Sequence, residues 1–138
     1  MPVVISAIIQ GRASLSLPVD LTGVTAVVGL IMPQFWTPAV VTVQGSPLGV
    51  NFYDLFDGFP GVELSFNIRP WGMVNINPNR LRCCTAIKLR SGTRDAPVVQ
   101  AVQRVFGIIV EGDTVEQVYP TPFEELSSEN GDETPKPE

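Results

Sequence analysis

The chain has 138 residues, room for one domain and not for two. Apolar residues make up 44% of it and charged residues 17%, with 12 glycines, 13 prolines and no histidine; that mix predicts short strands joined by turns and excludes the Ser-His-Asp pattern and the usual general base. The formal charge of -5 is concentrated in residues 121–138, which hold six acids against Lys136, while residues 1–120 hold eight acids and eight bases; a neutral body lacks the basic face that non-specific nucleic-acid binding requires.

The opening "MPVVISAIIQGR" has no basic start and too short an apolar run for a signal peptide. In "SLSLPV" (14–19), Leu15, Leu17 and Val19 share one face, and Pro18 predicts a sheet edge because it has no ladder N–H. "AVVGLIMP" (26–33) is apolar almost throughout, as expected for a strand covered on both sides. Its run is far shorter than a membrane span, so a soluble protein without a membrane partner is expected. "PAVVTVQGS" (38–46) places Val41 and Val43 on one face, with Val40, Thr42 and Gln44 on the other.

After Pro47 and Gly49, "VNFYDLFDG" (50–58) sets Val50, Phe52, Asp54 and Phe56 in one phase, Tyr53 and Leu55 in the other. "GVELSFNIRP" (61–70) alternates most clearly: Val62, Leu64, Phe66 and Ile68 are expected inside, Glu63, Ser65, Asn67 and Arg69 outside. "GMVNIN" (72–77), a turn at "PNR" and a strand at "TAIKLRS" (85–91) follow. Cys83 and Cys84 are adjacent, so they staple nothing distant, and without a third ligand they make no ordinary zinc site. They are expected as small, partly buried residues entering a strand, and they fit assembly in a reducing cytoplasm.

In "AIKLRSGTRDAPVVQ" (86–100), Ile87 and Leu89 fall on one face, Lys88 and Arg90 on the other, with a turn beginning at Ser91-Gly92-Thr93. Period-2 alternation explains these cations as a solvated strand face. A phosphate loop would instead lead from glycines into a helix, whereas here strand resumes at "PVVQAVQRVFGIIVE" (97–111). An anion site made by Lys88, Arg90 and Arg94 is the alternative. No sustained helical period occurs. About eight strands before residue 111 imply two sheets packed face to face, an all-β antiparallel sandwich over residues 1–120. Residues 121–138 are expected to form a flexible acidic tail. That tail is either a solubilising extension or a segment that folds onto a basic partner.

Asp54 and Asp57 are the nearest approach to a carboxylate pair, but Asp57-Gly58 also makes a turn. A calcium site from Asp54, Asp57 or Asp20 has no supporting spacing. No enzymatic activity, cofactor or resident metal is expected. Trp36, in "PQFWTP", and Trp71, in "RPWGM", lie at strand ends. Each could stack on a sugar, anchor an interface or plug the end of the core.

Two segments, "AVVTVQGSPLGVNFYDLFD" and "RCCTAIKLRSGT", look like the strand units of galactose-binding-like, discoidin-type jelly rolls. The frame from "SLSLPVDL" to "PVVQAVQRVF" also resembles small structural proteins of tailed bacteriophages, over roughly residues 14–110. The resemblance implies a decoration or cement protein of a virion, assembled in the host cytoplasm. It would bind the major capsid protein and form a homo-oligomer, a trimer first. Phe35, Trp36, Phe59 and Trp71 are then the candidate contacts, with Lys88, Arg90 and Arg94 as a polar patch. The alternative is a carbohydrate-binding module of a fibre or tail that uses Trp36 or Trp71.

Overall fold

The computed structural model describes residues 2–57 and 61–112. Phe59 and the acidic tail of the sequence analysis lie outside the described residues. Strands follow one another as β1 (Val3–Ile9), β2 (Val19–Asp20), β3 (Ala26–Ile31), β4 (Val41–Ser46), β5 (Tyr53–Asp54) and β6 (Phe56–Asp57). Then come β7 (Val62–Glu63), β8 (Ser65–Phe66), β9 (Met73–Asn75), a 3-10 turn (Pro78–Leu81), β10 (Ala86–Ser91) and β11 (Arg104–Glu111). No helix among the described residues is long and apolar enough to cross a membrane.

One sheet has the order β1-β11-β3-β9; the other runs β2-β10-β4-β5, with β8 also paired to β4. Every pairing is antiparallel. Counting β5 and β8 as one strand beside β4, and β6–β7 as a hairpin arm between them, leaves eight strands. The first then pairs the eighth, the second the seventh, the third the sixth and the fourth the fifth. That nesting is a double ribbon rolled on itself, and β11–β3 and β10–β4 complete the two sheets. The expected all-β sandwich is therefore a jelly roll.

The inner faces supply the core. Val27, Leu30 and Ile108 of the first sheet and Val43, Ile87 and Leu89 of the second line a void of only about 10 Å³. Phe106, Ile9, Met32 and Val41 are fully buried around it. Each such side chain stabilises the fold by roughly 1.5–3 kcal/mol through removal from water. Segment 13–17 closes one side of the sandwich: Ser16 donates its backbone N–H to Leu89, and Leu17 donates to Ile8 of the other sheet. The opposite side, bounded by β9 and by β5 and β8, ends both sheets.

Several expectations are corrected. Residues 3–9, weighed only as a leader in the sequence, form β1 and pair along their whole length with β11. "VNFYDLFDG" and "GVELSFNIRP" are each broken into two-residue strands, because the chain leaves the edge of β4 to make the β6–β7 arm. Val62, expected inside, is exposed, and Glu63, expected outside, turns inward to meet an arginine. Leu17 is also exposed, while its neighbour Ser16 is buried against β10.

Candidate functional site

Lys88 and Arg90 project outward from β10 as the alternation requires, but outward here is not solvent. Arg90 stands opposite Thr42 of β4 and is only 6% exposed. Its Nε donates to Thr42 Oγ1 at 2.9 Å and its Nη1 to Asp54 at 2.8 Å. Its Nη2 pairs with Glu63 from the hairpin arm. Arg94 reaches the other oxygen of Asp54 at 3.3 Å and donates its backbone N–H to Glu63. The Arg90 hydrogen bond is the largest influence on the Asp54 carboxyl and holds it below the usual carboxylate range; partial burial opposes this. Lys88 lies 4.4 Å over the Phe52 ring. Arg90 is thus a buried structural cation, contrary to the solvated face expected of it. With Asp54 and Glu63 on its guanidinium, Arg90 is already engaged and does not join Lys88 and Arg94 as an open donor.

The Ser91-Gly92-Thr93 turn supports this network. Gly92 has φ of 92°, and a Cβ there would lie 2.4 Å from the Ala96 carbonyl oxygen. Only glycine lets the chain turn back so closely. The turn also aims the Gly92 carbonyl at Thr42 Oγ1, which donates to it at 2.7 Å. Gln100, absent from the sequence candidates, is fully buried just beyond. Its amide nitrogen donates to the Thr37 carbonyl and Ser91 Oγ, and its oxygen accepts from the Thr37 N–H and Arg104 Nε. No spacing rule marks such a residue, because its partners come from three separate loops and strands.

Carboxylates weighed for catalysis or calcium are otherwise engaged. Asp57 pairs with Arg80 at 3.2 Å, and Asp20 accepts from the Thr22 side chain and N–H, which lower its pKa. Among the described residues, no three His, Cys, Asp or Glu side chains gather as a metal-ligand set. Cys83 is exposed and its Sγ stands 4.0 Å from that of Cys84. Burial pushes the Cys84 thiol up to about 12. That sulfur sits over Gly45, where a Cβ would meet it at 2.4 Å.

The two tryptophans separate. Trp36 is 9% exposed, packs edge-on against Phe106 at 5.3 Å and donates its indole N–H to Ala39. It plugs one end of the core, and Phe35 beside it is half-buried. Trp71 is 49% exposed and holds φ of 64°, a left-handed conformation that costs a bulky residue about 1–2 kcal/mol. Its N–H bonds to the Pro33 carbonyl, which ties the loop after β3 to the loop before β9. Between those loops opens a cleft of about 350 Å³, lined by Trp36, Pro38, Ala39, Asn67, Ile68, Arg69 and Pro70.

A second surface was not foreseen. Among the described residues, nine large apolar side chains are exposed, and seven of them fall between residues 48 and 73: Leu48, Val50, Tyr53, Phe56, Val62, Trp71 and Met73. That segment supplies the edge strands β5, β8 and β9 of the two sheets and the β6–β7 arm. Alternation does not mark this surface: Val50 and Phe56 share a phase with Asp54, and Val62 is in the phase expected inside. Phe56 and Val62 are exposed because β6 and β7 pair only with each other, and Tyr53 because β5 ends its sheet.

No protein-family model matches this chain, and no curated protein or solved structure matches it.

Proposed function

We propose that this chain is a structural, non-enzymatic component of a tailed-phage virion, a decoration or cement-like subunit that docks on a capsid lattice and on copies of itself. What carries the docking role is the apolar stripe, the seven exposed apolar side chains of residues 48–73, a segment that also supplies the edge strands β5, β8 and β9. Open sheet edges and apolar patches are costly to leave in water and are where partners add. The strongest cations support this role only indirectly, because Arg90 and Arg94 brace the arm that displays Phe56 and Val62. The assignment to a virion rests on the resemblance of the frame alone. Co-sedimentation with purified capsid shells tests it: the full chain should pellet with shells, and Tyr53→Ser with Val62→Ser should stay in the supernatant. A wild-type chain that stays in solution with every shell tried would remove the assignment.

A carbohydrate-binding module is the second reading, and one observation favours it: Trp71 is half-exposed on a strained backbone that glycine would adopt freely. Trp36 no longer serves this reading, since its ring is packed against Phe106. A glycan array on which Trp71→Gly loses hits that the wild type shows would support the module. An array without hits would end it.

A further inference from the structure

We infer that the cleft beside Trp36 is the seat of this chain's own acidic segment, residues 119–126. This goes beyond the docking role proposed above and does not depend on it.

The cleft combines an apolar lining with spare donors. Trp36, Ile68, Ala39, Pro38 and Pro70 supply its apolar lining. Asn67 and Arg69 also line it, and their side chains have no partner among the described residues. A cleft of about 350 Å³ is large enough to bury one aromatic side chain and the groups beside it. Its complement is therefore an aromatic residue flanked by carboxylates.

The charges divide the same way. Residues 1–112 hold eight bases against six acids, a surplus of +2, while residues 113–138 hold one base against eight acids, a deficit of -7. Within the latter, "YPTPFEEL" alone joins aromatic residues to adjacent carboxylates, in Phe123, Glu124 and Glu125. Beyond Leu126 no large apolar side chain occurs. An aromatic ring such as Phe123 matches the apolar lining in chemistry, carboxylates such as Glu124 and Glu125 match the Arg69 guanidinium, and Pro120 and Pro122 lower the cost of ordering the segment.

The chain is long enough to reach its own cleft. Residue Arg104 begins β11 beside Gln100 and Thr37, at the cleft's end of the sandwich, and Glu111 ends it beside Ala26 at the other. Eight residues of strand span about 26 Å. The eleven residue-to-residue steps from Gly112 to Phe123 can extend over roughly 36–40 Å, enough to return. Tethering also raises the local concentration of the segment at the cleft to about the millimolar range, so a modest intrinsic affinity suffices.

Amide hydrogen exchange of the full chain, read by mass spectrometry, tests this. Segment 119–126 should exchange at least about tenfold more slowly than residues 127–138. Arg69→Glu should remove about tenfold of that protection, as should Phe123→Ser, and high salt should weaken it. Arg69→Glu combined with Glu124→Arg and Glu125→Arg should restore it. Unchanged protection in residues 104–111 shows in each variant that the sandwich is folded. Free exchange of 119–126 in the wild type would overturn the inference, as would protection indifferent to Arg69. Protection that grows with protein concentration, together with a doubled mass, would also overturn it and make a second copy the occupant. So would a glycan that fills the cleft and leaves the segment's exchange unchanged.

Discussion

Arg90 and Asp54 are 36 positions apart in the chain and 2.8 Å apart in the fold. Their contact, with Glu63 on the same guanidinium, fastens the β6–β7 arm to the outer face of the second sheet. The arm in turn displays Phe56 and Val62. A buried cation on β10 thus supports an apolar surface on a different part of the chain.

Removing that cation should be costly. Arg90→Ala leaves Asp54 and Glu63 without their buried cation and with Arg94 and Gln44 as their remaining partners among the described residues, and breaking a buried pair in this way costs up to about 3–5 kcal/mol. Arg90→Met, which keeps the stem and its packing, should recover part of the loss only when Asp54→Asn and Glu63→Gln accompany it. Urea unfolding of the four chains checks this. Equal midpoints for wild type and Arg90→Ala would mean the pair carries no weight.

The same contact sets an acid limit. Because the folded Asp54 has a depressed pKa, its contribution is fully present above the ordinary carboxylate value, about pH 4. It is lost as pH falls through the depressed value, since protonation breaks the pair. Asp54→Asn should therefore be less stable than wild type at neutral pH and approach it as the pH falls well below the ordinary carboxylate value. Thermal melts across that range decide the point; a stability gap that does not narrow would contradict it.

Gly92→Ala should be among the most damaging single changes. The new methyl would meet Ala96, Pro97 and Val98 backbone atoms at a φ of 92°. Strain and the loss of the Thr42 contact together should cost more than about 2 kcal/mol. Circular dichroism melts measure it. A melting temperature unchanged from wild type would show that the turn relaxes freely.

The adjacent thiols should react unequally. Cys83 is exposed, whereas Cys84 is half-buried over Gly45, and its pKa of about 12 leaves almost no thiolate near pH 8. Iodoacetamide should label Cys83 first and Cys84 slowly, as mapped by mass spectrometry of the labelled peptides. Equal labelling would mean that the strand end opens readily. Unfolding in denaturant before labelling should abolish the difference.

Much of the sandwich was legible because buried strands leave a period. Leu30, Val41, Val43, Ile87, Leu89 and Ile108 all lie inside as their alternation or apolar run requires. Lys88 and Arg90 also point outward as read. What alternation cannot report is whether a second layer covers the outer face. Here the arm covers it, so Arg90 is buried although its phase is that of a surface residue. The reverse occurs at Val62, which has the apolar phase of a core residue but no opposing sheet. Trp36 and Trp71 sit in similar proline-flanked loops, yet only Trp36 finds Phe106 beneath it. Such differences depend on which distant segment arrives, and a local pattern holds no record of that.

The most direct measurement is the mass of the full chain in solution by light scattering, beside that of Tyr53→Asp with Val62→Asp. A docking surface on the open side predicts a closed oligomer, a trimer first, for the wild type, and a folded monomer for the variant. A wild-type chain that stays monomeric at every concentration, with an unchanged variant, would contradict self-association through the apolar stripe.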